Sequence, residues 1–429
     1  PMSGFLEPNT LKPFFCGTYY PPAPAHGRPS FTQVLEGMAI AWQSRRDEVL
    51  AQADQLAEAV QQELSSKGQP VPVGVPQVQT AIGSLLQMFE QAEGGFGGAP
   101  KFPQPVFLRL LLAGREITDE DSGRAIDHAL RHTLDRMAVG GLNDQLAGGF
   151  HRYSVDATWT VPHFEKMLYD NAQLLWVYAE SAARFDDAYH AAVARATARF
   201  IADEMTHADG GLLSAIDAEV DHREGLNYLW QPSEIDDALE ADDAEFAKAA
   251  FALDRGPNFQ DPHHRDDPPR NVLRLDDRPE RVAERMGLKP EAFNEQLERV
   301  RMALLAVRAT RKQPHTDDKV LASWNGLAIE ALAHAAGVLN DPALLSQAGR
   351  AANFVMTTMF KGGTLARSWR DSTLGGAGFL EDHGAMLAGV CALHRASAGF
   401  GLENPQHLQW ARAIAGSALE RFADDAGGL

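Results

Sequence analysis

Tyr169-Asp170-Asn171-Ala172 opens a helix, a second helix runs through Ala192 to Met205, and Asp209-Gly210-Gly211-Leu212 closes the unit. The same plan recurs twice. Ser323-Trp324-Asn325-Gly326 opens a pair that closes at Gly362-Gly363-Thr364-Leu365, and Glu381-Asp382-His383-Gly384 opens one that closes at Gly427-Gly428-Leu429. Each unit, about 40 residues, has room for two ordinary helices and a turn. A degenerate unit runs from Pro105-Val106-Phe107 to Gly140-Gly141-Leu142, and half a unit ends at Gly94-Gly95-Phe96-Gly97-Gly98. The glycines suit positions after helix C-termini, where a positive φ is needed. Consecutive helical hairpins bury their faces only by stacking into a ring or a solenoid. Long loops after the glycine pairs, such as 140–162, favour a ring with a functional rim. The expected fold is mainly α, a toroid of helical hairpins over residues 77–429.

Upstream, Ser3-Gly4-Phe5-Leu6 and Leu11-Lys12-Pro13-Phe14-Phe15 read as two strands around the turn Glu7-Pro8-Asn9-Thr10. A helix then starts near Ser30-Phe31, with Phe31, Val34, Leu35, Met38 and Trp42 at helical spacing. One hairpin and one helical segment cannot cover both faces of a sheet, so residues 1–67 are part of an α/β domain. Residues 68–76, rich in Gly, Pro and Val, read as a linker.

The 429 residues are 45% apolar and 23% charged, an ordinary globular composition. With 39 basic and 58 acidic side chains the net charge is -19, which argues against nucleic acid or an anionic membrane as partner. No apolar run approaches the ~20 residues of a membrane span. Only Cys16 and Cys391 are present, so no disulfide framework is expected and a cytoplasmic location follows. No His-Glu-x-x-His, Cys-x-x-Cys or phosphate-binding glycine loop occurs, and His263-His264 has no partners at ligand spacing. No metal or cofactor is therefore expected, and the composition names no protein partner.

The chemistry concentrates between Asn143 and Asn171. Asp144 and Asp170 are a candidate carboxylate pair, one kept neutral by burial, with Glu165 as a third acid. His151 and His163 are candidate proton carriers. Tyr153 and Trp159 offer flat apolar faces suited to a sugar ring, with Arg152 and Asn171 beside them. Further rim segments supply Asp217, Trp324, Asn325, Glu381 and Asp382 as candidate substrate contacts. Competing structural roles exist for several of these. Asp170, Asn171, Asn325 and Asp382 stand where helices begin and could be N-caps. His163 could be a core histidine, and Lys166 a solvated ion-pair partner of Glu165 or Asp170.

Several blocks carry a family resemblance. They are Gly94-Gly95-Phe96-Gly97-Gly98-Ala99-Pro100-Lys101-Phe102-Pro103, Gly148-Gly149-Phe150-His151-Arg152-Tyr153-Ser154-Val155-Asp156, and Val161-Pro162-His163-Phe164-Glu165-Lys166-Met167-Leu168-Tyr169-Asp170-Asn171-Ala172. With Ser323-Trp324-Asn325-Gly326-Leu327 and Phe379-Leu380-Glu381-Asp382, they resemble the spermatogenesis-associated protein 20 family of thioredoxin-domain proteins. The resemblance implies a thioredoxin-like domain followed by an (α/α)6 toroid similar to N-acylglucosamine 2-epimerase and the six-hairpin glycosidases. It places Pro1 at the thioredoxin cis-proline, with any redox cysteine pair upstream. Separately, the stop at Leu429 just after a hairpin-ending glycine pair leads to the expectation that the ring could lack its last helices here. Cys16 replaces a small residue and is expected to pack. The sequence departs from the family at Asp217-Ala218-Glu219-Val220-Asp221-His222 and at His383, where tyrosine is usual.

The resulting expectation is a carbohydrate-active domain working by acid/base chemistry at the toroid mouth, on a small-molecule carbohydrate. His151 and His163 would serve an epimerase or isomerase, and Asp144, Asp170 and Glu165 a hydrolase. The alternatives are a non-catalytic glycan- or protein-binding scaffold and a thiol-disulfide protein whose active half lies outside this chain.

Overall fold

The computed structural model describes residues 2–24, 27–65, 72–262 and 264–424. Pro1, residues 66–71 of the linker region, His263 and the closing Gly427-Gly428-Leu429 lie outside the described residues. The chain divides into two compact units, Pro1–Val73 and Gly74–Leu429.

In the first unit, β1 (Ser3–Leu6) pairs antiparallel with β2 (Pro13–Gly17). The intervening turn is held by the Glu7 carboxylate, which accepts from the backbone N–H groups of Asn9 and Thr10. Two helices follow, α1 (Phe31–Ser44) and α2 (Arg46–Ser65). Ser30 accepts from the Gln33 N–H and the Gln33 side chain returns to the Ser30 N–H, a capping box that fixes the start of α1. Phe14, Ala41, Val49 and Ala53 form a small core, with Trp42 stacked on Phe14 at 5.7 Å. Of the apolar stripe read on α1, Val34 is buried whereas Phe31 and Leu35 are exposed. Cys16, expected to pack, is exposed as well.

The second unit is built from helical hairpins. A single helix, α3 (Val75–Met88), precedes the pair α4 (Pro105–Gly114) and α5 (Glu120–Val139). The pair α6 (Leu168–Phe185) and α7 (Ala188–Glu204) follows. Four more helices, α8 (Pro232–Ala238), α9 (Ala241–Ala250), α10 (Pro279–Arg285) and α11 (Pro290–Ala309), are inserted before the next pair. That pair is α12 (Ala322–Leu339) and α13 (Pro342–Phe354), and the last is α14 (Leu380–Gly399) and α15 (Pro405–Phe422). The first helices of the pairs are neighbours in the order α4, α6, α12, α14, and each second helix packs on its own first helix. This inner and outer layering is the α/α toroid class read from the repeats.

The inner helix α12 is apolar nearly all round, as a helix covered on most sides must be. Ala328, Ile329, Ala331, Leu332, Ala335 and Ala336 of α12 are all buried. At the tightest inner contact, a Cβ on Gly326 would lie 2.4 Å from the Ala385 carbonyl carbon. Only glycine lets α12 and α14 approach this closely. The insertion carries a separate core that includes Trp230, Ile235, Phe246, Phe251, Phe293 and Leu304. Arg278 ties it to the α6–α7 hairpin, donating to Asp187 at 2.7 and 2.8 Å and to Asp135 at 3.0 Å.

The inner helices start slightly earlier than the sequence suggested, at Leu168, Ala322 and Leu380. Asp170, Asn171, Asn325 and Asp382 therefore sit within first turns and are not N-caps.

Candidate functional site

The loops preceding the inner helices of this unit meet as short antiparallel ladders. β3 (Tyr153–Ser154) pairs with β4 (Pro162–His163). β5 (Lys166–Met167) pairs with β6 (Ala215–Ile216), β7 (Glu219–Val220) with β8 (Arg223–Glu224), and β6 again with β9 (Thr316–Asp317). The extended passage from Pro162 to Met167 runs directly into α6. Its side chains alternate, as extended backbone requires. His163 and Glu165 point to the rim, Phe164 and Lys166 to the interior, and the charged groups of the region divide accordingly.

On the rim side, His163 Nδ1 lies 2.6 Å from Glu224 Oε1 and its Nε2 3.5 Å from Glu165 Oε2. Burial works against a charged imidazole here, but the bonds to Glu165 and Glu224 outweigh it and raise the His163 pKa to about 9. Arg152 Nη1 donates to Glu165 Oε2 at 2.9 Å. His163 and Arg152 together hold the Glu165 carboxyl below its ordinary range. Asp170 behaves oppositely. Burial raises its pKa to about 7 against the pull of Arg152 and Tyr169. Its Oδ2 has no hydrogen-bond partner, and neither has the buried Nε of Arg152. Tyr169, next to Asp170, meets the Trp324 ring edge-on at 4.8 Å, which joins the starts of α6 and α12.

On the interior side, the Asp144 carboxylate is clamped by two cations. Lys166 Nζ donates to Oδ2 at 2.7 Å and Arg308 Nη1 to Oδ1 at 2.8 Å, and all three side chains are buried. Backbone N–H groups of Leu146 and Ala147 also donate to Oδ1. Despite complete burial, Arg308 and Lys166 hold the Asp144 pKa well below the usual carboxylate range. His151 is 2% exposed, bonds Phe164 O through Nδ1 at 2.9 Å, and is driven to a pKa of about 3 by burial and the Lys166 charge.

These positions correct several expectations. Asp144 and Asp170 face opposite sides of one strand passage and do not form a pair. Burial lowers the His151 pKa to about 3, and the bonds to Glu165 and Glu224 raise that of His163 to about 9, so both depart from the ordinary histidine value in opposite directions. Asn171 and Asn325 are fully buried, with the amide of each committed to backbone. Asn171 accepts from Phe150 N and donates to Phe150 O and Met167 O. Asn325 repeats this with Leu212 N, Leu212 O and Leu321 O. Each is a staple that fixes the residue after a glycine pair. Those glycines lie on the following outer helix, where a Cβ on Gly149 would come 2.3 Å from Phe200 and one on Gly211 2.7 Å from Phe354.

Trp159 is fully buried, not a sugar platform, and its Nε1 donates to Glu93 O at 2.8 Å. Asp382 is buried too, accepting from Phe379 N and from Ser323 N, and so links the starts of α12 and α14. Glu381 is exposed and pairs with Arg367 at 2.9 Å. Asp217 is exposed one residue beyond β6, with its N–H bonded to His315 O.

The structure thus gathers Arg152, Tyr153, His163, Glu165 and Asp170 at one place, with Trp324 adjoining through Tyr169. Glu224 joins them from the β7–β8 hairpin, and sequence reasoning missed it because no local pattern ties it to His163. A cavity of about 570 Å³, equally unforeseen, lies farther along the same inner helices. There the Trp176 ring sits between Arg109, at 4.3 Å, and His334, at 4.5 Å.

Inner helices that open onto a polar rim define an α/α toroid, preceded here by a separate small α/β unit. The family model Thioredox_DsbH, described as a protein of unknown function (DUF255), matches residues 1–61. The chain is a relative, along its whole length, of spermatogenesis-associated protein 20. The Homo sapiens protein of that name is 32% identical over 100% of this chain and 58% of its own. The chain therefore spans little over half of the curated relatives it matches. Among solved structures, a Bacteroides thetaiotaomicron family 76 glycoside hydrolase (mannosidase) is 8% identical, with a TM-score of 0.48 over 83% of this chain and 75% of that one. A sugar epimerase from a ruminal bacterium is 14% identical, with a TM-score of 0.34 over 82% and 89%. No helix among the described residues is long and apolar enough to cross a membrane.

Proposed function

We propose that the rim around Asp170 is an acid/base site acting on carbohydrate, with Asp170 as the proton donor and acceptor. The observation that carries this reading is the Asp170 carboxyl itself. It is buried, has a pKa of about 7, and has an unpartnered Oδ2. A carboxyl poised near the working pH suits general acid/base catalysis. Glu165, held ionised by His163 and Arg152, supplies the contrasting carboxylate. Two acids pushed apart in pKa can divide proton donation from charge stabilisation. This favours a glycoside hydrolase over a histidine-shuttling epimerase, because the pKa values of His151 and His163 are both moved away from neutral pH, in opposite directions. His163, Arg152 and Glu224 act as positioning residues for Glu165, and the Tyr169–Trp324 pair offers an apolar edge to the sugar. A reducing cytoplasm is the proposed setting, consistent with two cysteines that are both free.

The test is turnover of a panel of aryl glycosides, disaccharides and free reducing sugars followed by NMR, comparing wild type with Asp170→Asn. The substitution keeps the shape of the side chain and removes its proton. Loss of about 10²–10⁴-fold in rate is expected. Turnover unchanged in Asp170→Asn overturns the assignment.

A further inference from the structure

Phe102 is not a member of the charged rim cluster, yet the backbone ties it to the rim. Lys101 N donates to Ser154 O and Ser154 N to Lys101 O, both at 2.8 Å. This bridge sets Phe102 beside Tyr153, and the β3–β4 register sets Tyr153 beside His163. Side chains on neighbouring strands stand about 5 Å apart, so aligned rings stack. The ring centroids follow that spacing, 4.8 Å for Phe102–Tyr153 and 5.0 Å for Tyr153–His163, with interplanar angles of 33° and 24°. Tyr153 therefore has a ring on each face and cannot itself be the open sugar platform. The free face belongs to the end of the column, at Phe102.

Two further observations separate Phe102 from an ordinary exposed apolar side chain. It is 41% exposed, so a substantial part of the ring is uncovered. It is also rigidly held, because the adjoining Lys101 is fully buried and its Nζ donates to Gly94 O at 2.8 Å and Ala157 O at 2.9 Å. An aromatic ring fixed before binding loses little freedom when a ligand settles on it. The other end of the column is His163, bonded to Glu224 and close to Glu165. A ligand touching both ends must cross two ring spacings, a longer reach than one pyranose.

We infer that Phe102 is a substrate-contact residue at the outer end of an aromatic column leading to the Asp170–Glu165 rim, and that the substrate is an oligosaccharide. This rests on the carbohydrate reading above and narrows it to a class. The apolar C–H face of one sugar unit lies on Phe102 while another unit reaches the acids.

Saturation-transfer NMR and KM measurements on the full chain test this, using glucose, mannose and the cello-, malto- and manno-oligosaccharides from two to four units. Wild type is expected to favour three or four units over the single sugar. Phe102→Ala should weaken the longer ligands about three- to tenfold, the range of one aromatic contact, and leave single sugars unchanged. Phe102→Trp should retain or tighten the long-chain preference. Because Phe102 lies outside the core, circular dichroism of both variants should match wild type. A length preference that persists unchanged in Phe102→Ala overturns the inference while leaving Asp170 in place. Wild-type protein that binds no saccharide of any length overturns the inference together with the carbohydrate reading.

Discussion

Two charged clusters lie back to back across residues 162–167, and they are built to different standards. The interior cluster joins Asp144 to Lys166 and Arg308, with its ions paired and His151 neutral. The rim cluster joins Arg152, His163, Glu165 and Glu224 but leaves Asp170 Oδ2 and Arg152 Nε without partners. Buried polar atoms are rarely left unpaired without a reason. The interior cluster locks the insertion to the rim ladders through Arg308 of α11. The rim cluster keeps two buried polar atoms without partners beside an acid whose pKa is raised to about 7. The saturated ion group serves as architecture, and the unsaturated one beside it is the proposed site.

The largest difference between the two clusters is expected at Asp144. Asp144→Ala leaves two buried cations uncompensated and should cost about 3–5 kcal/mol in urea unfolding. A loss below about 1 kcal/mol would mean that the interior ions are not a structural lock. The staples come next. Asn325→Ala strands the buried N–H and C=O of Leu212 and should cost about 2–3 kcal/mol, read in the same experiment.

Asp170→Asn should behave in the contrary way. The Asp170 pKa is raised from 3.8 to about 7 on folding, so its burial costs stability increasingly as pH rises from about 4 to 7. The variant should therefore gain on wild type by roughly 4 kcal/mol between pH 4 and pH 8. A constant difference across that range would show that Asp170 is already ionised at low pH.

His163 should give the smallest effect. Its folded pKa is raised to about 9, so its stabilisation is complete below about 6.5 and lost as pH climbs through 9. The ring is a quarter exposed, which screens the effect to about 1 kcal/mol. Thermal unfolding of wild type should fall between pH 6.5 and 9.5 relative to His163→Gln.

Much of this architecture was legible in the sequence. The recurring units and their glycine pairs gave the helical hairpins, because helix length and turn chemistry are local properties. The segment from Asn143 to Asn171 was also correctly singled out as dense in polar groups. What could not be read was the side to which each group turns. That depends on the extended passage from Pro162 to Met167, where a shift of one residue exchanges rim for interior. Asp144 and His151 consequently looked like acid/base candidates, although their partners Lys166, Arg308 and Phe164 bury them. Asn171 and Asn325 looked like substrate contacts because a repeated asparagine at a rim is equally suited to bind a sugar or a backbone. Glu224 had no signal at all, since only the fold brings the β7–β8 hairpin to His163.

Carbon-13 NMR of aspartate-labelled protein reads the titration of the Asp170 carboxyl directly. The Asp170 carboxyl, assigned by its disappearance in Asp170→Asn, should titrate with a midpoint near pH 7. A midpoint near 4 would show an ordinary ionised acid and would rule out Asp170 as a proton donor near neutral pH.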